Sequence, residues 1–138
     1  VSPALVEGLG AYPDEVYAGD HFLCVFEEEE RIHELKPDFQ ALSGFNSFVG
    51  VIVTARTSRV GYHFISRYFA PGIGIDEDHA TGSAHCLLAP YWAKKLGKSK
   101  LIGHQVSPRG AEIRCEVTDD RVILSGTADT FIRGKMSF

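Results

Sequence analysis

An aspartate three residues ahead of a threonine-glycine-serine turn is the arrangement in this chain with the clearest chemistry. Asp78 precedes Ala80-Thr81-Gly82-Ser83-Ala84, and this small-residue turn runs into an apolar helix expected from about Thr81 to Leu96 and closed by Gly97. The first turn of a helix carries backbone N–H groups without intrahelical partners, at the positive end of the helix dipole. Gly82 and Ala84 add little bulk, so a carboxylate or phosphate can approach that backbone closely. Asp78, at the end of what reads as an acidic loop, would then face the bound anion. An acid beside an anion cradle suits an enzyme that moves a proton on a small carboxylate, and one acid is half of such a site. The plain reading stands beside it: Asp78 as a cap or first-turn acid, and the turn as a sterically small helix entry.

The segments RYFAPGIGIDEDHATGSAH, LAPYWAKKLG, HQVSPRGAEI and RVILSGTADTFIRGK follow one another along the chain. In that order they resemble the C-terminal half of the phenazine-biosynthesis PhzF-like family, which shares its fold with diaminopimelate epimerase. The resemblance covers most of the chain from Pro37 onward and is weaker before it. It implies an α+β fold in which a curved, barrel-like mixed sheet wraps one central helix, and residues 1–138 as a single domain corresponding to one half of a two-domain protein. It implies Asp78 as catalytic acid or base, with the direction left open, and Thr81, Gly82 and Ser83 as the substrate-binding turn. Candidate cleft residues are His79, Arg67, Gln105 and Arg109, with Ser107 and Gly110 in the same stretch. His79 stands where the family often has proline, which leaves its role open, and a structural ion pair is an equal reading for Arg67.

The function that follows is the C-terminal domain of a cofactor-independent isomerase or epimerase acting on a small carboxylate. In the family the principal glutamate and a histidine belong to the first domain, so this half alone is expected to turn over little or nothing. The competing class is a non-catalytic binding or interaction protein that keeps the fold. Expected partners are the small carboxylate, an N-terminal PhzF-like domain and, through the face left bare where that domain belongs, a second copy in a homodimer.

Composition narrows the classes further. At 138 residues the chain can bury a core without staples, and 44% hydrophobic with 23% charged residues is ordinary globular composition. A net charge of −4 argues against nucleic acid, since phosphate binding needs a basic face. Lys94, Lys95, Lys98 and Lys100 cluster at a helix C-terminus, where cations oppose the dipole. No apolar run approaches membrane-spanning length and no signal-peptide pattern is present, so a cytoplasmic location is the expectation. No cofactor and no metal are expected: there is no GxGxxG after a strand, no HExxH, and His21, His33, His63 and His104 are scattered. Cys24, Cys86 and Cys115 lack CxxC spacing and read as reduced core thiols.

The elements that must position the turn can be read from periodicity. A short helix is expected after Ser2-Pro3, strands at Glu15–Tyr17 and His21–Phe26, a solvated turn at Glu27–Glu30 and a strand from Ile32 to Leu35. A short helix follows from Pro37 to Leu42, then a buried strand Phe48–Thr57 and a more alternating one, Tyr62–Phe69. After the central helix come strands at Leu101–Val106, Ala111–Thr118 and Arg121–Ser125, and a last strand within Thr127–Phe138. Ala84, Cys86, Leu87, Leu88, Ala89, Tyr91, Trp92 and Ala93 make that helix apolar nearly all round. The expectation is a helix enclosed by protein, with Leu87, Leu88, Tyr91 and Trp92 buried, His85 and Cys86 as packing groups, and a kink near Pro90.

Overall fold

The computed structural model describes residues 2–44 and 50–138. Among the described residues eight strands form one mixed sheet: β1 (Glu15–Ala18), β2 (Phe22–Phe26), β3 (Val51–Arg56), β4 (Phe64–Ala70), β5 (Ile75–Asp78), β6 (Lys100–Gln105), β7 (Ala111–Val117) and β8 (Val122–Ser125). The spatial order is β1-β2-β3-β4-β6-β7-β8. β5 lies on the same side of β4 as β6 does: β6 pairs with Phe64–Ser66 and β5 with Tyr68 and Ala70. Four α-helices among the described residues accompany the sheet: α1 (Pro3–Leu9), α2 (Glu29–Glu34), α3 (Phe39–Ser43) and α4 (Gly82–Leu96).

Two parallel pairs, β2–β3 and β4–β6, require crossovers, and their placement follows from handedness. Both steps move the same way across the sheet, but β4 runs antiparallel to β3. Crossovers of the same hand therefore fall on opposite faces. That is where the helices sit. Leu5, Leu9, Ile32, Leu35 and Leu42 of the α1–α3 layer pack on Cys24, Val53, Ile65 and Phe69. On the other face Ala84, Leu88, Ala89 and Trp92 of α4 pack on Leu23, Ile52, Phe64, Tyr68 and Leu101. Strand alternation divides β4 between the two cores, with Ile65 and Phe69 on one side and Phe64 and Tyr68 on the other.

Buried contacts register α4 on the sheet. The Trp92 indole donates to Thr54 Oγ1 at 3.0 Å, and that hydroxyl donates to the Ile65 carbonyl at 2.6 Å. Trp92 also stacks on Phe64, with ring centres 6.0 Å apart. The other end of α4 is fixed by a left-handed cap at Gly97 (φ 64°), a conformation that favours glycine.

Several expectations need correction. Ile32 and Leu35 belong to α2 and its C-cap rather than to a strand. Residues three apart share a helix face, both are buried, and Glu29 and Glu30 suit the first turn of a helix. The acidic segment before the turn is strand β5, not a loop. No strand forms in Thr127–Phe138, and Phe131, Ile132, Met136 and Phe138 are exposed. α4 is not enclosed: Gly82, Ser83, Cys86, Leu87 and Pro90 face outward, while Thr81, Ala84, His85, Leu88, Ala89 and Trp92 are buried. Leu87 is 38% exposed and Cys86 is likewise on the surface, so neither is a core residue. Among the described residues pairing ends at β1 and β8, so the sheet is open. The expected start of β3 at Phe48 lies outside the described residues. Among the described residues no helix is long and apolar enough to cross a membrane.

Candidate active site

β5 and the entry of α4 meet at residues 78–81, and this junction organises the site. Tyr68 pairs with Asp78 across β4 and β5, which places Asp78 on the α4 face of the sheet. Its neighbour Glu77 points the other way by strand alternation. There Glu77 takes both ends of the Arg67 guanidinium, at 2.8 and 2.9 Å, and Arg67 also donates to the carbonyls of Ile32 and Leu35 at 3.0 Å. Arg67 and Asp78 thus lie on opposite faces of the sheet. With four of its five N–H donors engaged, the guanidinium ties β4 and β5 to α2.

Thr81 is the N-cap residue of α4, with extended backbone angles (φ −118°, ψ 102°), yet its side chain caps nothing. Its hydroxyl donates instead to Asp78 Oδ2 at 2.6 Å. The first-turn N–H groups therefore lack the side-chain partner they ordinarily receive. Gly82 and Ser83 are exposed there, while Asp78 is half-buried. One carboxylate and one open helix N-terminus accordingly share an accessible surface.

Gln105, at the end of β6, is fully buried beneath that surface. Its Oε1 accepts from the Thr81 N–H at 2.8 Å, and its Nε2 donates to the Asp78 carbonyl at 2.8 Å and to Thr81 Oγ1 at 3.0 Å. Ser107 donates its hydroxyl to the His79 carbonyl at 2.9 Å and accepts from the Gly110 N–H at 3.1 Å. The loop after β6 is tied in this way to the residue following Asp78. His79 and Arg109 have exposed side chains on the two segments so joined. His85 is buried, with Nδ1 2.7 Å from the Thr81 carbonyl, so the proton belongs on Nδ1. Nε2 has no partner among the described residues. Burial, opposed by the Thr81 carbonyl, holds this imidazole below its ordinary pKa and therefore neutral.

The sequence and the fold have counterparts among known proteins. The family model for phenazine biosynthesis-like proteins, PhzC-PhzF, matches residues 4–134. The chain belongs to the PhzC-PhzF family. It is 43% identical to an uncharacterized isomerase of Pseudomonas aeruginosa over 132 residues, covering 96% of this chain and 50% of that protein. It is 40% identical to an uncharacterized isomerase of Halalkalibacterium halodurans over 135 residues, again 96% of this chain and 50% of the relative. The crystal structure of a PhzF family protein from Enterococcus faecalis superposes with a TM-score of 0.87 at 43% identity, covering 96% of this chain and 50% of that one. The chain thus spans about half the length of the PhzC-PhzF relatives it matches.

Of the nominated residues, the structure brings Asp78, Thr81, Gly82, Ser83 and Gln105 together, carries His79 and Arg109 on the linked segments beside them, and places Arg67 across the sheet. Tyr68, paired with Asp78 across the sheet, and its neighbour His21 were not nominated from the sequence as site residues. Tyr68 and His21 are both buried, with the Tyr68 hydroxyl 3.4 Å from His21 Nδ1. Burial first, and then the Asp78 charge, raise the Tyr68 phenol above its ordinary pKa. A Cβ at Gly50 would stand 2.5 Å from the Tyr68 ring and hydroxyl, an approach that only the tertiary structure reveals.

Proposed function

We propose that this chain is one half of a cofactor-independent isomerase or epimerase that transfers a proton on a small carboxylate substrate. The observation that carries the reading is the Thr81 hydroxyl committed to Asp78 rather than to its own helix. That choice orients the acid and leaves the first turn of α4 open in one step. In this reading the N–H groups of Gly82 and Ser83, with the Ser83 hydroxyl, hold the substrate carboxylate. Asp78 exchanges a proton with the carbon that the carboxylate, or a neighbouring double bond, acidifies. Moving a proton between two atoms or faces needs a second carrier opposite Asp78, which an N-terminal PhzF-like domain would supply. The same proposal takes residues 1–138 as one domain of a two-domain, cytoplasmic protein. In that protein the sheet closes as a barrel-like layer around α4, and the face beside the turn is covered by the partner domain or by a second copy.

The test is solvent deuterium incorporation. The intact two-domain protein, incubated in D2O with a panel of small α-amino and β,γ-unsaturated carboxylates, is expected to label at least one of them at carbon. The Asp78→Asn form is expected to lose that labelling. Binding without labelling across the panel would replace this reading with that of a binding protein, and full labelling by a folded Asp78→Asn protein would remove Asp78 from the chemistry.

A further inference from the structure

Gln105 is 0% exposed and cannot touch a ligand, yet its amide makes three of the bonds that define the site. We infer that Gln105 is a positioning residue: it locks Thr81 in a non-capping rotamer, aims the Thr81 hydroxyl at Asp78, and so keeps the entry of α4 free for a carboxylate. The inference rests on the reading of Asp78 and that entry as a carboxylate site.

The three partners fix the orientation of the amide. Oε1 must face the Thr81 N–H, because the flipped amide would set donor against donor there and oxygen against the Asp78 carbonyl. Nε2 therefore donates to Thr81 Oγ1, which uses one of that oxygen's acceptor positions and directs its single proton to Asp78 Oδ2. The result is a one-way chain, Gln105 to Thr81 to Asp78. A threonine with these backbone angles ordinarily turns its oxygen onto the N–H two or three residues on, here Ser83 or Ala84. Gln105 outcompetes that cap from 24 residues away. The chain also distinguishes the two oxygens of Asp78: Oδ2 is held by Thr81, and Oδ1 is the oxygen that meets a ligand.

Removing the amide frees Thr81 to cap its own helix, and the hydroxyl then competes with any anion for the same N–H groups. The test uses the isotope-labelled chain with acetate as probe. It follows the amides of Gly82, Ser83 and Ala84, and reads the Thr81 χ1 rotamer from three-bond couplings. In the unaltered chain we expect one χ1 rotamer and saturable shifts at those amides. Gln105→Met is expected to move Thr81 to the capping rotamer and to weaken acetate by about five- to tenfold, the worth of an N-cap bond expressed as affinity. Adding Thr81→Val, which cannot cap, is expected to restore acetate binding, a rescue that general loss of structure would not produce. If Gln105→Met fails to fold, Gln105→Glu keeps the size and an oxygen for the Thr81 N–H. It removes the donor, and the Thr81 hydroxyl is expected to leave Asp78. An unchanged Thr81 rotamer in folded Gln105→Met, or a Thr81 hydroxyl still bonded to Asp78 in folded Gln105→Glu, would overturn the inference. If acetate does not shift the unaltered chain, the carboxylate-site reading fails by itself, and the rotamer still decides the role of Gln105.

Discussion

The hydroxyl of Thr81 lies 2.6 Å from Oδ2 of Asp78, although Thr81 begins α4 and would be expected to cap it. The carboxylate is thereby oriented by a neighbour three residues away, not by the helix. In the intact protein, Asp78→Asn is expected to lower turnover by about two to four powers of ten, the usual worth of a general acid or base. The asparagine carbonyl can still accept from Thr81. Melting should therefore move by no more than about 0.5 kcal/mol, the range of substitutions that keep their contacts. Steady-state kinetics and thermal melts on the same preparation check both.

The Arg67–Glu77 pair is a structural element and should behave as one. Both side chains are 13% exposed. Arg67→Met strands the carboxylate and two backbone carbonyls, and should cost on the order of 3 kcal/mol, as removing one member of a buried pair does. The double variant Arg67→Met, Glu77→Leu should recover part of that loss, because no charge is left unpaired. Urea unfolding of the three proteins tests the ordering.

Stability should fall on mild acidification. Burial lowers the folded-state pKa of His85 and His21, and burial followed by the Arg59 charge lowers that of His104. The unfolded chain, with imidazoles near about 6.5, binds more protons than the folded one below that pH. The stabilisation is therefore complete above about pH 6.5 and declines as the pH drops toward the folded values, by at most about 1.4 kcal/mol per pH unit for each histidine. His85→Leu should flatten the slope between about pH 6.5 and 5 in urea titrations. An unchanged slope would show that His85 can take up a proton without unfolding.

Thiol labelling should separate the cysteines. Burial pushes Cys24 up to about 12 and, with a smaller contribution from Cys86, Cys115 up to about 11. Cys86 is exposed on the outer face of α4. At neutral pH a thiol reagent should modify Cys86 in the native protein and reach Cys24 and Cys115 only after unfolding, since thiolate fraction and access set the rate. Mass mapping of the labelled peptides reads the order.

Much of the fold follows from local pattern. Alternation and turn residues locate seven of the eight strands to within a few residues, and Gly97 marks the end of α4, because turns and caps are decided by the residues that form them. The misread elements are those where local signals conflict. Ile32 and Leu35 suit a short strand as well as a helix face, and only their burial against Phe26 and Phe69 selects the helix. The apolar content of α4 likewise does not say that the sheet stays open and leaves Cys86 and Leu87 outside.

The site divides in the same way. The sequence by itself determined that Asp78 sits beside a small-residue helix entry, since Asp78 to Ser83 lie within one turn of chain. It could not place Arg67 or Gln105, which nominate themselves equally as cleft residues. Arg67 faces α2 and Gln105 lies under Thr81 because of the register of β4 against β5 and the return of β6 beside β4. In a strand a shift of one residue sends a side chain to the opposite face. That register is set by packing on both faces of the sheet, between residues far apart in the chain, and so only the tertiary structure decides which polar groups meet Asp78.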